Sequence, residues 1–234
     1  MSRNISQPPF NKDYRRWINQ LGDYTGKWTT PQLNALQNAI ISAKDAPLAY
    51  FFALEFGHHT YRMQKLILRQ TNPQYSFLFA RHIPNADVKA CQAVVVGCGK
   101  VSYITKFACF VPTADQKMLE PLIIKANDPK HACLYLRHVK TANLRALKKI
   151  ILKSGKPNHL LELAKHSPKD LIKIEDLIIA SGSSAYIRLF AEKIKGANID
   201  KLERAILDTH NEQEIRKFAQ CVKGSKMRRF LLVG

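Results

Sequence analysis

Arg62, Lys89, Lys117 and Arg145 recur 27 or 28 residues apart, and each follows by two positions a residue suited to capping a helix: Thr60, Asp87, Asp115 and Asn143. The same column continues through Ile172, Asp200 and Arg228, so five of its seven positions are basic. A cation in the first turn of a helix faces the positive end of the helix dipole, and a bound anion there reverses the sign of that interaction. The chemistry such a ladder suits is phosphate binding rather than bond making. Three positions before the caps stand Lys140, Lys195 and Lys223. Lys226, Arg228 and Arg229 extend the charge toward the C-terminus, and Arg15 and Arg16 beside Trp17 extend it at the start. Base recognition adds exposed aromatics. Tyr75, Tyr103 and Tyr186 share a column, but they are expected to pack in the core with their hydroxyls at its rim.

Other residue types that could carry chemistry do not assemble into a site. His131 and His138, repeated one period on as His159 and His166, are seven apart on a helix face. Metal ligands on a helix are usually three or four apart, so these read as partly exposed histidines. Five cysteines, none in a C-x-x-C pair, fit neither a disulfide framework nor a zinc ribbon and suit a reducing compartment. Cys91, Cys109, Cys133 and Cys221 are expected as small buried hydrophobes, with Cys98 at a helix end the most reachable. No G-x-x-x-x-G-K-S/T loop is present, which excludes a P-loop nucleotidase. The expectation is a non-enzyme with no catalytic residue, no metal and no cofactor.

The elements that must position the cations follow from a period of about 28 residues. Blocks open at Asp45, Asn72, Lys100, Asp128, Lys156, Ser183 and Asn211, the first and fifth one residue short. Each begins a helix, three of them with proline at the first helical position (Pro73, Pro129 and Pro157), where the missing N–H costs nothing. Apolar residues at helical spacing follow, as in Tyr75, Phe79, Ala80 and Ile83. A turn ends on a cap from the set Thr60, Asp87, Asp115, Asn143, Asp170 and Asn198, and a second amphipathic helix runs to Gly99, Asn127, Gly155 or Gly182.

Two short helices with one apolar face each cannot bury those faces alone, so neighbouring blocks must stack. The expected fold is therefore all-α: an α-solenoid of about seven helix-pair repeats over residues 45–234, preceded by an N-terminal helical cap over residues 1–44. In the cap, Tyr14, Trp17, Ile18 and Leu21, then Leu33, Leu36, Ile40 and Ile41, stand at helical spacing. The layout resembles the helix-pair repeats of the tetratricopeptide, HEAT and pentatricopeptide families, with a shorter unit. That resemblance implies architecture and brings no functional residue.

The 234 residues hold 37 lysines and arginines against 18 acids, a formal charge of +19. An anionic partner is implied. Nucleic acid, DNA or RNA, bound through its backbone is the first expectation, and an adaptor recognising an acidic protein is the alternative. No apolar run approaches the roughly 20 residues that cross a bilayer, and Met1 to Phe10 lacks the apolar stretch of a secretory leader. A cytoplasmic protein with no membrane partner is expected.

Overall fold

A computed structural model of the protein describes residues 29–227. Tyr14, Arg15, Arg16, Trp17, Ile18, Leu21, Arg228, Arg229 and the apolar end Phe230 to Val233 lie outside the described residues. Among those described, every regular element is helical. No described helix is long and apolar enough to cross a membrane.

The chain divides into two compact units, Met1–Leu119 and Glu120–Gly234. The first holds α1 (Thr30–Ala43), α2 (Ala46–Phe56), α3 (Thr60–Arg69), α4 (Pro73–His82), α5 (Val88–Gly97) and α6 (Val101–Phe110). The boundary falls within α7 (Gln116–Ala126). The second holds α8 (Pro129–His138), α9 (Leu144–Ser154), α10 (Pro157–His166), α11 (Leu171–Ala180), α12 (Ser184–Lys193), α13 (Ile199–Leu207) and α14 (Glu212–Cys221), with a 3-10 turn at Pro168–Asp170.

All seven block starts read from the sequence are N-caps, of α2, α4, α6, α8, α10, α12 and α14. Asp45, Asn72, Asp128 and Asn211 accept first-turn N–H groups through their side chains, as Asp87, Asn143 and Asn198 do for α5, α9 and α13. These bonds satisfy amides that have no partner inside the helix. Three details differ from the sequence reading, the first being that Asp170 precedes α11 without a side-chain cap bond, its carboxylate held by Lys148 and Ser167 instead. The cap of α3 is His59, at φ 45°, and Thr60 is already helical, because the turn before α3 is one residue short. Ile83, Val111 and Ile194 are buried but lie just past their helices in extended backbone.

Lys44, Thr71, Gly99, Asn127, Gly155, Gly182 and His210 all have positive φ, close to the end of α1 and of every second helix thereafter. Left-handed backbone is easy for glycine and strained for a β-branched residue. Thr71→Gly, at φ 49°, should therefore stabilise the protein by roughly 0.5–1 kcal/mol, since relief of that strain exceeds glycine's entropy cost. A urea midpoint that does not rise would contradict this.

The core repeats as the caps do. Phe52, Phe79 and Phe107 in the first unit, and Tyr135, Leu163, Phe190 and Phe218 in the second, are 27 or 28 apart and at most 3% exposed. Opposite them lie Met63–Ile67 and Cys91–Val95, then Leu147–Ile151, Ile174–Ile178 and Leu202–Ile206, each named residue fully buried. Helix α1 obeys the same pattern with Leu36 and Ile40, so the periodicity reaches back to Thr29, ahead of the block start at Asp45.

A polar column accompanies the apolar ones. Gln37, Gln64, Gln92, Glu120, Lys148, Glu175 and Glu203 are 27 or 28 residues apart, and each reaches the start of the next helix in its row or the segment just before it. Gln64 donates to the Asp87 carbonyl at 2.9 Å and accepts the Asp87 N–H at 3.0 Å. Gln92 accepts from Asp115 N–H at 2.9 Å. In the second unit, Glu120 takes Asn143 N–H at 2.5 Å, Glu175 takes Asn198 N–H at 2.9 Å, and Glu203 takes Lys226 and Met227 N–H at 3.2 and 2.7 Å. The pairing follows charge. Gln64 and Gln92 meet aspartate caps, Gln37 donates to the His59 carbonyl at 3.4 Å, glutamate meets an asparagine or lysine, and Lys148 meets Asp170, which it contacts through both carboxylate oxygens at 3.0 and 2.9 Å. Like charges never face one another in this column, as partly buried polar contacts require.

Rows of first helices in the second unit are joined by ion pairs. Arg188 reaches Glu214 at 2.7 Å, and Arg137 bonds Glu162 through two nitrogens at 3.0 and 2.9 Å. Glu162 is 5% exposed and also contacts Lys165 at 3.0 Å. Burial alone would raise its pKa, but the hydrogen bonds from Arg137 and Lys165 outweigh that and hold it at about 2, below the ordinary 4.5. A carboxylate whose pKa is depressed by folding stabilises fully above its ordinary value and loses that contribution as pH falls toward about 2. The loss is on the order of 3 kcal/mol. Denaturant midpoints measured from pH 5 to pH 2 should fall steeply in the wild type. Glu162→Gln should start lower at neutral pH and fall less; an unchanged acid slope would contradict the assignment.

Candidate nucleic-acid interface

In the first unit, the second half of α1 and one face of α3 enclose an open groove of about 660 Å3. Its walls carry Lys44, Arg62, Lys65 and Arg69 with Tyr61, over a floor of Ile41 and Leu66, and no carboxylate of the described residues lines it. The helix itself produces this concentration: Arg62, Lys65 and Arg69 are three and four residues apart on one face of α3. Leu66 and Ile67, beside the stripe, are buried and hold that face outward.

Among the described residues, the charge of the groove is uncompensated. Arg62 is steered by two neutral acceptors, Nη1 to Gln37 Oε1 at 2.9 Å and Nη2 to Asn38 Oδ1 at 3.1 Å. Those amides fix the guanidinium without cancelling its charge. Among the described residues, none of Lys44, Arg62, Lys65 and Arg69 makes an ion pair. Tyr61 is 73% exposed, unusual for an aromatic ring that has apolar neighbours available.

The second unit contains a counterpart built from α11 and α13, of about 420 Å3, lined by Ile179, Asn198, Lys201, Arg204, Ala205 and Asp208. Counted from the polar column, Ile179 occupies the place of Ile41, Lys201 that of Arg62, Arg204 that of Lys65 and Asp208 that of Arg69. Here the charge is cancelled. Lys201 is paired with Asp176 and lies 3.4 Å from Glu175, and Asp208 replaces a cation. The groove recurs with the repeat, but the concentrated positive potential belongs to the first unit's copy.

The ladder read from the sequence is placed as follows. Lys89 and Lys117 are exposed in the first turns of α5 and α7, and Arg145 is exposed in that of α9. Lys140, Lys195 and Lys223 are exposed in turns. None of the six makes an ion pair among the described residues, whereas Lys226 is paired with Asp200 at 3.0 Å. Arg62 stands one position outside the column. Because His59 caps α3, the residue equivalent to Lys89 and Lys117 is Tyr61, and Arg62 turns into the groove instead. Lys44, Tyr61, Lys65 and Arg69 were not singled out from the sequence, although the offsets of three and four in Arg62, Lys65 and Arg69 were there to find.

The remaining candidates have local roles. Burial pushes the thiol of Cys91 up to about 11 and those of Cys109 and Cys133 up to about 12, so they stay protonated and unreactive. Cys221, not Cys98, is the exposed cysteine; Cys98 is partly covered and donates to the Val95 carbonyl at 2.9 Å. His82 bonds the Tyr50 hydroxyl at 2.7 Å, and His166 approaches Glu162 at 3.6 Å. Among the described residues, no three His, Cys, Asp or Glu side chains converge as a metal site.

No protein-family model, curated protein or solved structure matches this chain. The functional reading therefore rests on its own residues.

Proposed function

We propose that the protein is a non-enzymatic helical-repeat protein that binds nucleic acid through its phosphate backbone. In this reading its helix pairs, six among the described residues from Asp45 onward with α14 opening a seventh block, stack as α-solenoid repeats within each unit. The α1–α3 groove is the principal contact, and the unpaired cations at helix starts and turns, Lys89, Lys117, Lys140, Arg145, Lys195 and Lys223, are secondary ones. The carrying observation is the groove itself: four cations and, among the described residues, no lining carboxylate and no ion pair to any of the four. Uncompensated charge costs a fold self-repulsion, and a polyanion removes that cost while gaining the entropy of released counterions. The free thiols suit a reducing compartment such as the cytoplasm.

Fluorescence anisotropy with labelled oligonucleotides at about 50 and about 200 mM salt tests this. Four phosphate contacts to a single strand correspond to a log–log salt slope of about −3, or roughly a 50-fold loss of affinity over that interval. Sub-micromolar binding at the lower salt with that slope supports the reading. Absence of binding to every nucleic acid tried at the lower salt would overturn it.

A further inference from the structure

The open groove holds a feature that a phosphate track alone does not need: Tyr61, whose side chain lines it and is 73% exposed. A duplex hides its base faces in the stack and meets a protein's groove rim through phosphates. An unpaired base presents a π-face to any aromatic ring within reach. A volume of about 660 Å3 lies in the range of sites that enclose a small ligand or part of a chain.

Resting on the nucleic-acid reading above, we propose that the groove binds single-stranded nucleic acid, with one base stacked on Tyr61 and the flanking phosphates held by Lys44, Arg62, Lys65 and Arg69. The placement of Tyr61 favours this. The next three residues in its column, Lys89, Lys117 and Arg145, are cations, so the ring stands where the following three repeats put a positive charge. Arg62, displaced by one position and held by Gln37 and Asn38, lies beside the ring and supplies the charge that the column has lost there. The ring and the guanidinium thus serve two parts of one nucleotide. The second unit's groove has neither feature, since Asp200 stands at the position of Tyr61 and Lys201 is neutralised by Asp176 and Glu175.

The test uses the full chain with a labelled 12-mer as single-stranded DNA, single-stranded RNA and duplex. Single strands of one or both kinds should bind at least tenfold more tightly than duplex. Tyr61→Ala should weaken the single-strand complex about tenfold and leave duplex binding unchanged, while Tyr61→Phe stays within about twofold of wild type. The ring is exposed, so these variants keep the fold, and circular dichroism confirms it. Duplex binding equal to single-strand binding, together with an indifferent Tyr61→Ala, overturns the stacking assignment and leaves the phosphate reading standing. Failure of all three probes to bind overturns both.

Discussion

Replacing Lys65 and Arg69 together by glutamate should lower the affinity for nucleic acid about 100-fold at roughly 100 mM salt and flatten the salt dependence by about 1.5 units of slope. Both side chains line the groove and neither has an acidic partner among the described residues. Reversal therefore breaks no ion pair and leaves folding intact. It removes two phosphate contacts and sets two carboxylates against the backbone that remains. The matched control is Arg204→Glu in the second unit's groove, where Asp208 and the Lys201 pairs already cancel the field. That variant should change affinity by less than about threefold. Equal losses in the two grooves would mean that net charge alone drives binding; no loss in the first would remove it from the interface.

The second large effect concerns folding. Lys148→Glu should destabilise the protein by about 2 kcal/mol, because it places a carboxylate against Asp170. Asp170 accepts from Ser167 and from Lys148, and these bonds hold its pKa below the ordinary value. Without Lys148, that partly buried carboxylate faces a like charge. Adding Asp170→Asn should restore most of the loss, since a glutamate facing an asparagine recreates the pairs that Glu120 makes with Asn143 and Glu175 with Asn198. The double variant should recover at least half of the loss in thermal midpoint. A double variant no more stable than Lys148→Glu alone would show that the polar column is not governed by charge complementarity.

The block starts were legible because capping is local: an N-cap must be a particular residue type at a particular place, and proline at the first helical position reinforces it. The apolar columns were legible for the same reason, through a fixed helical period. The polar column was not. Gln64 and Asp87 are 23 residues apart and meet only because consecutive helices of a row lie side by side, and on its own each residue looks like an ordinary exposed position. Its alternation of charge becomes meaningful only once the partner is known. The groove fell between the two cases. Its cations follow helical spacing, but the sequence reading assigned the cap of α3 to Thr60, which put Arg62 in the ladder and left Tyr61 unremarked. A single residue missing from one turn, compensated by His59 in left-handed backbone, moved the register of that helix start.

Photo-cross-linking of a single-stranded oligonucleotide to the full chain, with the adducts located by peptide mass spectrometry, measures directly where the nucleic acid lies. A strand seated in the α1–α3 groove predicts adducts concentrated in residues 60–70, with Tyr61 foremost, and few in residues 199–208. Adducts confined to the basic turns around residues 195 and 223, with none in residues 44–70, would contradict it.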